Sequence, residues 1–189
     1  MTHYEGILVS WNDHVNSAAM GAEIEGDQMH LNVYVPSNTY LNLNEAGRFT
    51  FSLTNSRELF YRSALIGHHN DVCELGCSDL AKEDEFYYPV SASITYFCEV
   101  EEEKKIKKKD EFGETVVFRF KAKIMKKEGG GEYIDRDDPV VDALVFASRY
   151  HLGDEEQRAK IRKKVQDILK GVDGDVADKV REHVKGGRS

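Results

Sequence analysis

The sequence predicts a mostly β protein with some helix: an antiparallel barrel of about six strands followed by a small helical C-terminal part. Two observations carry this expectation. Apolar residues in the first part of the chain recur with a period of two, in runs separated by glycine and proline, and from Pro139 onward the period changes to that of a helix.

Each element follows in order. EGILVSW (5–11) is a short apolar run, and AAMGAEIE (18–25) and MHLNVYV (29–35) read as a hairpin turned at Gly26-Asp27. Pro36 ends the second of these strands, since proline has no N–H for a ladder. SNTYLNLNEAG (37–47) then supplies an N-cap, a short helical stretch and a C-terminal Gly47. RFTFSLTN (48–55) alternates as a strand, and SRELFYRSALIG (56–67) reads as an amphipathic helix with Ser56 as N-cap. The acidic stretch 68–86 has no clear period and reads as a long loop with room for a short helix. SASITYFCEVE (91–101) and ETVVFRFKAKIMKKE (114–128) carry the strongest strand signals, the latter with Phe118, Phe120, Ala122 and Ile124 on one face and Arg119, Lys121 and Lys123 on the other. EGGGEYIDRDD (128–138) is a connection. PVVDALVFASRYHL (139–152) opens a helix on proline, Asp154 with Gln157 forms a capping-box pattern for the next, and Val176, Val180 and Val184 mark a third. The expected division is 1–138 for the barrel and 139–189 for the helical part.

Composition excludes several classes. With 34 acidic against 26 basic residues and a net charge of -8, the chain lacks the basic face of a general nucleic-acid binder. The lysine-rich KKIKKKD (104–110) follows directly on EVEEE, so its charge is offset locally and it reads as a solvated surface or hairpin tip. Cysteines at 73, 77 and 98 are odd in number and no apolar leader is evident, which points to a reducing cytoplasm; no apolar run is long enough to span a membrane.

Two stretches have the chemistry of a binding site. Ser37, Asn38 and Thr39 stand at a helix start, where unpaired N–H groups and the positive dipole end favour an anion such as phosphate. Asn16, Ser17, Ala18 and Ala19 are small enough to let a flat ring lie against the backbone and hydrogen-bond its edge. Together they describe a phosphorylated planar cofactor. The same residues also suit an ordinary N-capped helix after a strand, with a small-residue packing site beside it.

The order V-N-S-A-A-M-G, a turn, a strand, then V-P-S-N-T-Y-L-N-L and F-T-F-S-L-T-N resembles the FMN-binding split barrel of the flavin reductase-like superfamily. With EGILVSWN at the start and DALVFASRYHL near the end, the chain is similar to an uncharacterised, mainly archaeal family of that superfamily, classified as a domain of unknown function. The resemblance implies a homodimer with FMN in a groove at the subunit interface. It puts the ring against Asn16 to Ala19 and the phosphate at Pro36, Ser37, Asn38 and Thr39, with Tyr40 and Asn42 next to it. The segment holds no Arg or Lys, so neutral donors bind the dianion or a cation comes from elsewhere; Arg149, from the same or the partner subunit, is the candidate.

A second constellation is HHNDVCELGC, where His68, His69, Cys73 and Cys77 are metal-compatible but lack two well-separated ligand pairs, so an acidic loop with buried thiols is the favoured reading. No nucleophile elbow, zinc-protease motif, P-loop or dinucleotide fingerprint is present. His14 and His30 lie near the proposed flavin strands as candidate proton donors, whereas Met20, Tyr34 and Trp11 read as core. The leading function is an FMN-dependent oxidoreductase using NAD(P)H or another reduced carrier. The alternatives are a non-enzymatic FMN carrier and, less favoured, a metal-binding interaction protein.

Overall fold

The computed structural model of the chain describes residues 1–66, 75, 76, 78–110 and 113–186. Six strands close a barrel: β1 (Thr2–Trp11), β2 (Val15–Glu25), β3 (Gln28–Tyr34), β4 (Arg48–Leu53), β7 (Ile94–Asp110) and β8 (Gly113–Gly129). Their order around it is β1-β2-β3-β8-β7-β4, and every neighbouring pair is antiparallel. Alternation dictates what fills it. Met29, Leu31 and Val33 of β3, Phe49, Phe51 and Leu53 of β4, and Phe120 and Ala122 of β8 share one buried apolar cluster with Leu8 and Ala22.

β1 is buried on both faces, which explains why it reads as a continuous apolar run. Leu8 belongs to the barrel cluster, whereas Ile7 and Val9 belong to a second cluster built with α2 (Arg57–Tyr61), a π-helical turn (Arg62–Ile66), α3 (Pro139–Ala147), α4 (Glu155–Ile168) and α5 (Asp175–Val184). Phe60, Leu144, Val165 and Val180 are at most 2% exposed there. The C-terminal helices are thus part of a core that the outer face of β1 completes.

Local chemistry sets the helix boundaries. Ser37 caps α1 (Asn38–Ala46) by accepting the Tyr40 N–H at 3.1 Å, and Gly47, at φ +64°, closes it by donating its N–H to the Leu43 carbonyl. Asp138 caps α3 by accepting the Val140 and Val141 N–H groups at 2.9 and 3.3 Å, with Pro139 in the first turn. Asp154 and Gln157 form the expected capping box of α4. The helix expected over 139–152 stops at Ala147, and a 3-10 turn (Tyr150–Leu152) follows.

The stretch expected as a loop over 68–86 needs correction in its described part. β5 (Leu80–Glu83) pairs with β6 (Phe86–Pro89) as a separate hairpin, turned at Asp84, whose φ is +51°. LAKE is too short and too charged to show a period. It is held by what its partner buries: Phe86 meets Trp11 and Phe97 edge-on at 5.5 and 5.4 Å, and Thr50 donates to the Tyr87 carbonyl at 2.7 Å.

β7 and β8 outrun the barrel. β4 accompanies β7 only to Glu99 and β3 accompanies β8 only from Val117, so the lysine-rich segment lies on a projecting two-stranded ribbon with pairs such as Lys107 with Val116. No helix among the described residues is long and apolar enough to cross a membrane.

Asp138 ties the helical part to α2, because its carboxylate also accepts from the Arg57 guanidinium at 2.7 to 3.2 Å. Arg57 is 42% exposed, so most of the contribution comes from the cap. Asp138→Ala is expected to lower stability by about 1–2 kcal/mol in urea unfolding; an unchanged midpoint would contradict the assignment.

Candidate functional site

β2 and β3 pair only from Ala22 with Leu31 to Glu25 with Gln28, and then they part. Between Asn16 and Gly21 the edge of β2 away from β1 has no strand partner among the described residues. A cleft of about 710 Å³ occupies the gap, a volume suited to a cofactor-sized ligand. Its floor is Asn16 to Gly21 of β2, its far wall Asn32 and Tyr34 of β3, one end Pro36 to Thr39, and its roof Leu144, Val145, Ser148 and Arg149.

The two stretches that the sequence singled out therefore face one space. They are also joined directly, Asn16 Nδ2 donating to Thr39 Oγ1 at 2.9 Å. Ser17 is buried and accepts from Ser63 Oγ of the π-helical turn at 3.3 Å. The Ser37 hydroxyl donates to the Tyr34 carbonyl at 2.7 Å while accepting the Tyr40 N–H to cap α1, so its only proton is committed; the backbone N–H groups of Asn38 and Thr39 and their side chains supply the donors at this end. Arg149, from the same chain, reaches this region with its guanidinium 5.8 Å from the centre of the Tyr34 ring.

Two buried atoms of the β3 wall, Asn32 Oδ1 and Tyr34 Oη, have no hydrogen-bond partner among the described residues. A buried polar atom left unpaired costs roughly 1–3 kcal/mol, and a bound ligand can supply the missing partner.

The cleft also holds an acid and a base. Glu5 is 5% exposed, its Oε1 lies 3.1 Å from His3 Nε2 and 3.8 Å from Arg136 Nε, and its own N–H donates to Asp135 at 3.0 Å. Burial pushes the Glu5 carboxyl above its ordinary range, with His3 and then Arg136 pulling it partly back. Arg136 also pairs with Asp142 at 3.1 Å.

Not every residue singled out from the sequence reaches the cleft. The Tyr40 ring packs on Phe118 at 4.7 Å in the barrel cluster, and Asn42 donates to Ser10 Oγ and the His14 carbonyl at 3.3 Å, so neither lines it. Both lie past the first residues of α1, where the helix has turned them toward the barrel. His14 and His30 do not line it either; His3 and His151 do. Met20 and Tyr34, read as core, line it, because β2 and β3 diverge beside them.

His3, Glu5, Asn32, Lys108 and Arg136 are among the lining residues that were not singled out as site residues. The one local signal was a carboxylate entering the apolar run EGILVSW. His68, His69, Cys73 and Cys77 lie outside the described residues, and the described residues contain no cluster of three or more metal-binding side chains. Cys98 is buried in the barrel, where desolvation pushes its thiol up.

A six-stranded antiparallel barrel with one strand gap, and a helix N-terminus at the end of that gap, is a split-barrel fold. The chain belongs to the DUF447 family, whose N-terminal domain, described as a protein of unknown function, matches residues 4–128. An FMN-bound DUF447 protein from Methanosarcina mazei is similar over 96% of this chain and 93% of its own, with 19% identity and a TM-score of 0.69. Flavoredoxin from Methanosarcina acetivorans is 13% identical, with a TM-score of 0.55 over 70% of this chain and 72% of its own. An FMN-binding protein from Thermus thermophilus, with bound p-hydroxybenzaldehyde, is 14% identical, with a TM-score of 0.53 over 67% and 71%.

The Glu5 shift has a sign that can be tested. A carboxyl whose folded-state pKa lies above its unfolded one contributes stability that is present below the unfolded value and is lost as pH rises through the folded one. Compared with Glu5→Gln, the wild type is therefore expected to lose stability as pH rises above the ordinary glutamate range of about 4 in parallel urea titrations. A difference independent of pH would contradict this reading.

Proposed function

We propose that the chain binds one FMN in this cleft and uses it for flavin-dependent oxidoreduction, with NAD(P)H or another reduced carrier as electron source. The observation that carries the reading is the joining of two unlike surfaces in one space: the bare edge of β2 over Asn16 to Gly21, and the N-terminus of α1, locked together by Asn16 and Thr39. Family membership and the FMN-bound relative support it.

The residues present fit the cofactor. The first-turn N–H groups of α1 would receive the phosphate, with Arg149 as the cation that the Pro36 to Thr39 segment lacks. Ala18 and Ala19 leave room for a ring against the backbone. Asn32 Oδ1 and Tyr34 Oη have hydrogen-bonding capacity that no described residue uses and that a ligand would take up. When bound, the flavin supplies the electron and hydride chemistry, and the chain's own work is to bind, orient and exclude water. Phe60, Val141, Leu144 and Ile161 line the helical side and keep that space apolar.

The reading includes residues 1–138 as the cofactor-binding unit, 139–189 as its cover, a cytoplasmic setting, and a homodimer in which the cleft lies at the interface. The projecting ribbon supports the last point, because it carries Lys108 to the cleft and leaves a strand edge of β7 beyond Val100 with no strand partner among the described residues.

Fluorescence titration with FMN is expected to saturate at about one per chain. Arg149→Met and Tyr34→Phe are each expected to weaken binding about tenfold, close to 1.4 kcal/mol. Tyr34→Phe should raise the stability of the ligand-free protein by about 1–3 kcal/mol, since it removes a buried group left unpaired among the described residues. Unaltered affinity in both variants would remove this site, and a monomer mass by light scattering with FMN bound would remove the dimer.

A further inference from the structure

We propose that His3 is a redox-linked protonation site at the ring end of the cleft, and that buried Glu5 positions its imidazole. This rests on the FMN reading and extends it to residues that reading does not use. The side chains divide the work by exposure: His3 is 48% exposed and Glu5 7%. A half-open imidazole can exchange protons with solvent, while a dry carboxylate behind it holds the ring in one orientation.

Register fixes where this pair sits. A Cβ on Gly21 would lie 2.6 Å from His3 Cε1, so the imidazole lies directly over the bare β2 backbone at that residue. Gly21 shares a face of β2 with Ala19, two residues and about 7 Å away, and it is about 17 Å along the strand from Asn16. Asn16 meets Thr39 at the α1 end, so a ligand with its phosphate there and its ring on the small residues extends toward His3.

Most of the charged groups around the pair are engaged with partners of their own. Glu23, opposite His3 in the β1–β2 register, is held by Arg119 at 2.7 Å. Arg136 is shared between Glu5 and Asp142, Asp135 accepts the Glu5 N–H, and Lys108 lines the same cleft. With Nε2–H donating to Glu5, Nδ1 is the basic nitrogen of neutral His3. Two electrons from a hydride donor or a chemical reductant then arrive with one proton on the cofactor and a second, from solvent, on Nδ1. Charge balances without any further co-reactant. An imidazolium beside Glu5 also compensates a carboxylate that burial disfavours.

Potentiometric titration of the FMN-loaded protein with dithionite and mediator dyes, repeated between about pH 5 and 8, tests this without a physiological donor. In the wild type a tenfold change in proton concentration should move the midpoint potential by about 30 mV more than in His3→Asn over part of that range, the shift for one extra proton per two electrons. Gly21→Ala, which displaces the imidazole without removing it, should behave like His3→Asn, and Glu5→Gln should move the pH at which the slope changes. FMN affinity should change less than about threefold in His3→Asn. Identical slopes in wild type and His3→Asn, or loss of the extra slope in His151→Asn instead, would overturn the proposal while leaving FMN binding intact. Failure to bind FMN at all would overturn both.

Discussion

The separation of β2 from β3 after Ala22 is the constraint on which the molecule depends. A strand edge left unpaired inside a protein strands backbone N–H and C=O groups, which must be paired, solvated or liganded. Here the edge is lined with small residues and roofed by helices rather than closed by a neighbouring strand. The chain that leaves β3 turns at Pro36 into α1, and the first residues of that helix are pulled back to β2 by Asn16. Gap and helix start are therefore one feature, made by the same turn.

Stability and site share residues. Ile7 and Val9 leave β1 on the side away from the barrel and are buried in a cluster built largely from α2 to α5, so the helices are required by the strand as much as the reverse. That cover delivers Arg149 and the apolar roof to the cleft. Asp138, through its cap on α3 and its contact with Arg57, ties α3 to α2 in that cover. The connection just before it brings Asp135 to the Glu5 N–H and Arg136 toward its carboxylate. A segment that reads as a plain linker thus sets the electrostatics at one end of the site.

Legibility in the sequence followed locality. The hairpin at Gly26-Asp27, the Ser37 cap, the Asp154–Gln157 box and the alternation of β8 are all decided within a few residues, and each was readable there. So were the small residues 16–19 and the 36–39 turn, although that they face one another is a product of topology. β5 was not readable, because LAKE is stabilised by the aromatic contacts of its partner strand rather than by its own composition. Glu5, His3 and Arg136 come together from positions about 130 residues apart, and no spacing in the chain announces such a meeting. Tyr40 and Asn42 show the converse: they adjoin Thr39 in sequence, but the helix turns them into the barrel.

The account stands most directly on where a ligand lies. A crystal structure of the protein with FMN is predicted to show the phosphate at the first turn of α1 and the ring along Asn16 to Gly21, with Asn32 and Tyr34 hydrogen-bonded to it. FMN at any other surface, or a cleft that stays empty in its presence, would contradict it.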